Sequence, residues 1–280
     1  MVIVPHLSVD VDVIAMRGAF ERTVALYQGA WAGIKGCNTD YHDLKHVTDC
    51  YLALVRLLHG ACETGVTVTA RQVHQVLVAA LLHDSGYLQY GEDSVGTGAK
   101  FTLSHVRRSM DFLERYHDRF DLRPSEVHAC MTMIHSTDLN GALAGIPFPD
   151  SATKWLGKML AGADVLAQLA DRTYLEKLLF LYFELEEARL PEYRDELDLL
   201  QQSIHFYQRI NARLKNQLGA PDRFMRHHFK ARWDIDEDLY RRAIDNQRRY
   251  LRQVLKTGGG DPRDYLRRAN IVQKIRSRYN

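Results

Sequence analysis

Apolar residues recur at intervals of three and four along almost the whole of this 280-residue chain, a period that fits α-helices and little else. Val47, Cys50, Tyr51, Leu54, Val55 and Leu58 mark one such face, and Val73, Val76, Leu77, Ala80 and Leu81 a second. Leu156, Leu160, Ala163, Ala167 and Ala170 form a third, and the spacing returns from Leu197 through Leu200, Ile204, Tyr207, Leu214 and Leu218. Strand-like alternation is confined to the first dozen residues, so an all-α fold is expected. Val66–Thr69 reads as the cap of a helix starting near Ala70, and Asp150 or Ser151 as the cap of another. Glycine and proline punctuate the faces at 86–102, 140–150, 219–222 and 258–262. The expected organisation is a helical core over residues 1–190 and a helical, basic extension over 191–280.

Composition narrows the class. With 46% hydrophobic and 26% charged residues the chain matches soluble globular proteins rather than disordered or fibrous ones. No run approaches the roughly 18 apolar residues of a membrane span. The N-terminal MVIVPHLSVDVDV lacks the basic start of a signal peptide. Cys37, Cys50, Cys62 and Cys130 lie too far apart for a zinc ribbon or a disulfide framework, so a cytoplasmic protein is expected. Charge is uneven: Arg223 to Asn280 holds 16 Lys and Arg against 7 Asp and Glu. That end is either a solvated helix face or a contact for nucleic acid or another anionic partner.

Nine of the 13 histidines fall between His42 and His135. Tyr41-His42-Asp43-Leu44-Lys45-His46 places two imidazoles four apart, expected on one helix face. Ala79-Ala-Leu-Leu-His83-Asp84-Ser-Gly86 ends an apolar helix in an imidazole beside a carboxylate, with a glycine to stop it. Burying that pair is costly unless a cation neutralises it. Asp164 shares a face with Leu160 and Ala167, a buried position for an acid.

In these motifs the chain resembles the HD-domain metalloproteins over roughly residues 25–190: YHxxxH, then LLHDxG, then later histidines, then an Asp within a helix. The resemblance implies an HD-type helical bundle with His46, His83, Asp84 and Asp164 as metal ligands. It implies His105 and His135 as ligands of a second ion, with Asp84 bridging; His128 is a further candidate. Imidazole and carboxylate suit iron, manganese, zinc or nickel without choosing among them. Two such ions activate water and clamp a phosphoryl group, so the expected function is a phosphohydrolase or phosphodiesterase. Its substrate is a phosphorylated small molecule such as a nucleotide, cleaved by metal-hydroxide attack.

His42 matches the histidine that protonates the leaving alkoxide in phosphodiesterases of this fold, or it supports His46. Many members read HDxGK, whose lysine binds phosphate; here the position is Tyr87, and Lys45, Lys100, Arg107 or Arg108 are the expected substitutes. No GYP-type signature follows the HD pair, which disfavours a cyclic dinucleotide. The same ligand set also serves di-iron oxygenases of this fold. A binding module that contacts nucleic acid through its basic end is the non-catalytic alternative.

Overall fold

A computed structural model describes residue 7 and residues 10–93, 95–190, 193–257 and 261–279. The expected strand in the first dozen residues and the glycines of the 258–262 break fall largely outside them. Among the described residues the chain is all-α, with eleven helices: α1 (Val13–Tyr27), α2 (Leu44–Glu63), α3 (Ala70–Leu82), α4 (His105–Tyr116), α5 (Pro124–His135) and α6 (Ser151–Ala170), then α7 (Tyr174–Glu187), α8 (Glu196–Asn216), α9 (Arg223–Trp233), α10 (Leu239–Thr257) and α11 (Ile271–Tyr279). Among the described residues the one extended pairing is an isolated bridge between Ile34 and Tyr90. No described helix is long and apolar enough to cross a membrane.

The helix starts follow local chemistry. Thr69 caps α3 by accepting from the Gln72 amide, while the Gln72 side chain accepts from the Thr69 amide. Asp150 caps α6 through the Thr153 amide at 2.7 Å.

Helix α2 is buried nearly all round, as a central helix must be, with its most extensive contacts against α6 and α9. Leu54, Leu57 and Leu58 are fully enclosed, each contributing about 2 kcal/mol by burial. Gly60 sets how close α9 can come: a methyl there would collide with the backbone carbonyl of Phe224. One hydrophobic core therefore runs across residue 190, and Phe224, Phe229 and Tyr240 are buried in it. Trp233, the last residue of α9, and Ile235 just beyond it lie exposed. Within the basic segment Arg226 pairs with Asp236 and Arg242 with Glu237, and two of its cations reach acids outside it, Arg263 to Glu196 and Arg278 to Asp40.

Candidate metal centre

Three helices deliver four ionisable side chains to one dry point. Asp43 caps α2, its carboxylate accepting from the His46 amide at 2.8 Å, which fixes His46 in the first turn. The cap also corrects an expectation: His42 precedes the helix rather than sharing a helical face with His46. Helix α3 ends at Leu82, and His83 and Asp84 follow as its cap and the next residue. Gly86 does not stop that helix. It lies in the 3-10 turn Ser85–Tyr87, where a methyl would strike the His105 carbonyl, so glycine lets the start of α4 approach the His-Asp pair. Asp164 comes from the middle of α6, on its buried face as expected.

The His46 Nε2 atom lies 3.1 Å from Asp84 Oδ2 and 3.2 Å from Asp164 Oδ1. His83 Nε2 is 3.3 Å from His46 Nε2, 3.4 Å from Asp84 Oδ2 and 3.7 Å from Asp164 Oδ1. His83 Nδ1 lies 2.7 Å from the Ala80 carbonyl, which can only accept, so that nitrogen carries the hydrogen and Nε2 presents its lone pair. His105 is held likewise, Nδ1 donating to Thr102 O at 2.6 Å and Nε2 3.8 Å from Asp84 Oδ1. Asp84 Oδ2 is buried with no hydrogen-bond partner. Lone pairs facing carboxylate oxygens repel unless a proton or a metal cation lies between them, and a ring fixed through its other nitrogen is the usual state of a ligating histidine. These residues fit a metal ion.

Electrostatics agree with the geometry. Burial would lower the His46 imidazole, but the Asp164 and Asp84 carboxylates beside its Nε2 overcome it and hold its pKa at about 10. His83 is shifted up in the same way, against burial, by Asp84 and Asp164. Burial would raise both carboxyls, yet the imidazoles hold Asp84 and Asp164 well below their ordinary range. The His105 imidazole is lowered, chiefly by burial. Cys50, one turn beyond His46, also faces this point, its Sγ grouping with His83 and Asp164 ligand atoms within 4.8 Å. Burial pushes its thiol well up. The buried His, Asp and Cys groups could therefore hold a metal ion.

Beside the cluster stand three stacked rings. Tyr87 stacks with His42, 4.3 Å away at 12° interplanar angle, and with His105, 4.6 Å away at 21°, while the two imidazoles lie 6.2 Å from each other. His42 Nδ1 pairs with Glu184 Oε2 at 2.7 Å, and its Nε2 is 3.5 Å from the Tyr87 hydroxyl. Glu184, on α7, also accepts from the Tyr41 amide at 2.7 Å. Gln168 donates to Asp164 Oδ1 at 2.9 Å and accepts from the Tyr41 hydroxyl at 3.1 Å. Neither Glu184 nor Gln168 was expected at the site. A signal existed for Glu184, which falls four residues after Phe180 on the buried face of an apolar helix.

Other expected site residues lie elsewhere. Lys45 is ion-paired with Asp49 and Asp171 on the exposed rim. Lys100 binds Asp93 and the Val95 carbonyl, tying its own loop together. Arg108 donates to the carbonyls of Gly86 at 2.6 Å and Leu88 at 2.8 Å and stacks on Phe101, bracing the turn after the His-Asp pair. Each cation is consumed by a neighbour and so is not offered to a phosphate in this arrangement. His135 closes α5, half-buried, with no side-chain hydrogen bond or ion pair to the cluster among the described residues. His128 is held at the Pro147 carbonyl, away from it.

Comparison with family models, with curated proteins and with solved structures finds no match to this chain. Fold and site alone define the class: an all-α protein with a buried His/Asp cluster able to hold a metal ion.

Proposed function

We propose that the cluster binds a divalent transition metal and that the protein is a metal-dependent phosphohydrolase of the HD type. The observation that carries this reading is the convergence of two buried carboxylates on imidazoles whose Nε2 atoms face them. His46, His83, Asp84 and Asp164 would hold the first ion. Asp84 Oδ1 and His105 are the nearest donors for a second, and His135 would have to move to join them. Bound there, such ions supply water activation and neutralise charge on a phosphoryl group.

The chain's own groups do the rest. Glu184 accepts from His42 Nδ1 and so keeps the ring orientation fixed, while Tyr87 packs flat against one face. His42 then holds a proton at Nε2 for the leaving alkoxide, a role that contributes about 10²–10⁴-fold in rate. Glu184 stabilises the ring while it is charged.

The test is metal analysis of protein purified without chelators, followed by a phosphoester panel under anaerobic conditions. Near-stoichiometric transition metal with phosphate release supports the proposal. Absence of metal overturns it. Iron with oxygen uptake and no phosphate release would point instead to oxygenase chemistry.

A further inference from the structure

The C-terminal helices α9, α10 and α11 close a cleft of about 730 Å³ against α2, α6 and α7. A narrower crevice adjoins it, bordered by the same Asp49, Ala167, Asp171 and Lys177, and continues past Tyr41 and Gln168 to His46. That crevice is only about 10 Å³, room for about one water, so Gln168, hydrogen-bonded to Asp164, separates the cleft from the His46 side of the candidate metal centre.

The charges lining the cleft are not balanced in the same way for the two signs. Every carboxylate is already engaged. Asp43 caps α2, Asp49 pairs with Lys45, Asp171 with Lys45 and Lys177, and Asp40 with Arg278. Arg172 and Lys274, both exposed at the cleft, have no carboxylate within ion-pair distance among the described residues. Arg56 also lacks one: its guanidinium donates to the neutral Tyr240 hydroxyl at 2.9 Å and lies over the Phe229 and Tyr240 rings. Its Nε is buried with no hydrogen-bond partner. The cleft therefore offers spare positive charge beside apolar lining from Leu52 and Leu239, while the Phe229 and Tyr240 rings are buried beneath Arg56.

We propose that this cleft binds a small organic phosphate, with Arg172 and Lys274 taking the anionic group and the Leu52 and Leu239 side chains taking the organic part. That it binds is independent of the metal reading; that the ligand is the substrate rests on the phosphohydrolase proposal. In that case the C-terminal helices set specificity.

The test is calorimetric titration of the full-length protein with adenosine 5′-monophosphate, glucose 6-phosphate and inorganic phosphate. Three forms are compared: wild type, R172E/K274E and Asp84→Asn. Both reversed cations are exposed, so circular dichroism and Tm of the double variant should match wild type. The expected result is that at least one organic phosphate binds wild type and Asp84→Asn equally, binds more tightly than inorganic phosphate, and weakens at least tenfold in R172E/K274E. The cleft proposal fails if none of the three binds at millimolar concentration, or if the double variant binds like wild type. It also fails if Asp84→Asn alone abolishes binding, which places the anion at the metal centre. Inorganic phosphate binding as tightly as the organic ligands overturns the proposal of an organic ligand. Failure of the metal reading would show as missing metal and missing phosphate release, with this binding pattern unchanged.

Discussion

Helix α2 carries two buried histidines, and each meets a second imidazole from another helix or its cap. His46, near the start, lies against His83 at 5.3 Å between ring centroids; His59, near the end, lies edge-on to His228 at 4.9 Å. Burial is comparable, yet the outcomes are opposite. With Asp84 and Asp164 at hand, the His46 pKa is held at about 10. Burial, with His59, Arg56 and Arg232 as its charged or titrating neighbours, pushes His228 down to about 3, and neither ring nitrogen has a hydrogen-bond partner. Burial sets the stakes, and the nearest carboxylates decide the sign. The first pair is built to attract a cation between two buried carboxylates, whereas the second has beside it only the exposed Glu63 carboxylate, 3.8 Å from His59 Nε2.

The largest expected effect comes from making the first pair resemble the second. Asp84→Ala should empty the metal centre and lower phosphoester turnover at least 10³-fold. It should also destabilise the protein by about 3–5 kcal/mol, because buried charges lose their partner. Asp84→Asn keeps the shape and serves as the folded control. Full metal content in Asp84→Ala, by elemental analysis, would break the comparison.

His42 is the intermediate case, an imidazole with one carboxylate. His42→Ala should leave metal content near wild type while slowing substrates with poor leaving groups by about 10²-fold or more. Nitrophenyl esters, whose leaving group needs less protonation, should lose less. Metal lost in step with activity would make His42 a support for His46 instead.

The second pair can be broken sterically. Gly60→Ala should push α9 off α2 and cost about 1–3 kcal/mol, read as a lower midpoint in denaturant, with metal content retained. It can also be probed by pH. The His228 pKa in the folded state is depressed, so the unfolded chain binds the proton first as pH falls. Stability is full above the unfolded value of about 6.5 and declines toward the folded value of about 3. Between pH 7 and pH 5 this amounts to about 2 kcal/mol. His228→Leu should remove most of that slope, and an unchanged slope would assign acid sensitivity to other groups.

The smallest effect is expected at Lys45. Its exposed pairs with Asp49 and Asp171 are worth under about 1 kcal/mol, so Lys45→Ala should barely move the denaturation midpoint.

These contrasts show what a linear chain discloses. Helical faces were legible because burial imposes a period, and Asp164 stood out as an acid on an apolar face. The His83-Asp84 pair was legible because two adjacent polar groups end an apolar run. His42 was misplaced by one structural detail: Asp43 can cap a helix as readily as continue one, and the cap puts His42 outside. Lys45, Lys100 and Arg108 were misjudged because a free cation and one already held by Asp171, Asp93 or a carbonyl look alike in sequence. Glu184 follows Phe180 by four residues on a buried face, which set it apart from Glu186 and Glu187, but its partners, His42 and the Tyr41 amide, come from a distant segment. The aromatic stack around Tyr87 has no local signature, since its three rings come from separate segments.

The close seating of α9 on α2 also bears on how the molecule is made. Arg56 and Tyr240 meet across 184 residues of chain, and Gly60 waits for a carbonyl from Phe224. During synthesis, the helix that carries His46 emerges long before the segment that covers it. Its apolar surface must stay exposed, or be sheltered by a chaperone, while roughly 160 further residues are added, a matter of about 10–30 s at ordinary elongation rates. Contacts of such long range make for slow folding. The interval between the ribosome's delivery of α2 and of α9 is thus the period in which this chain is most exposed to aggregation.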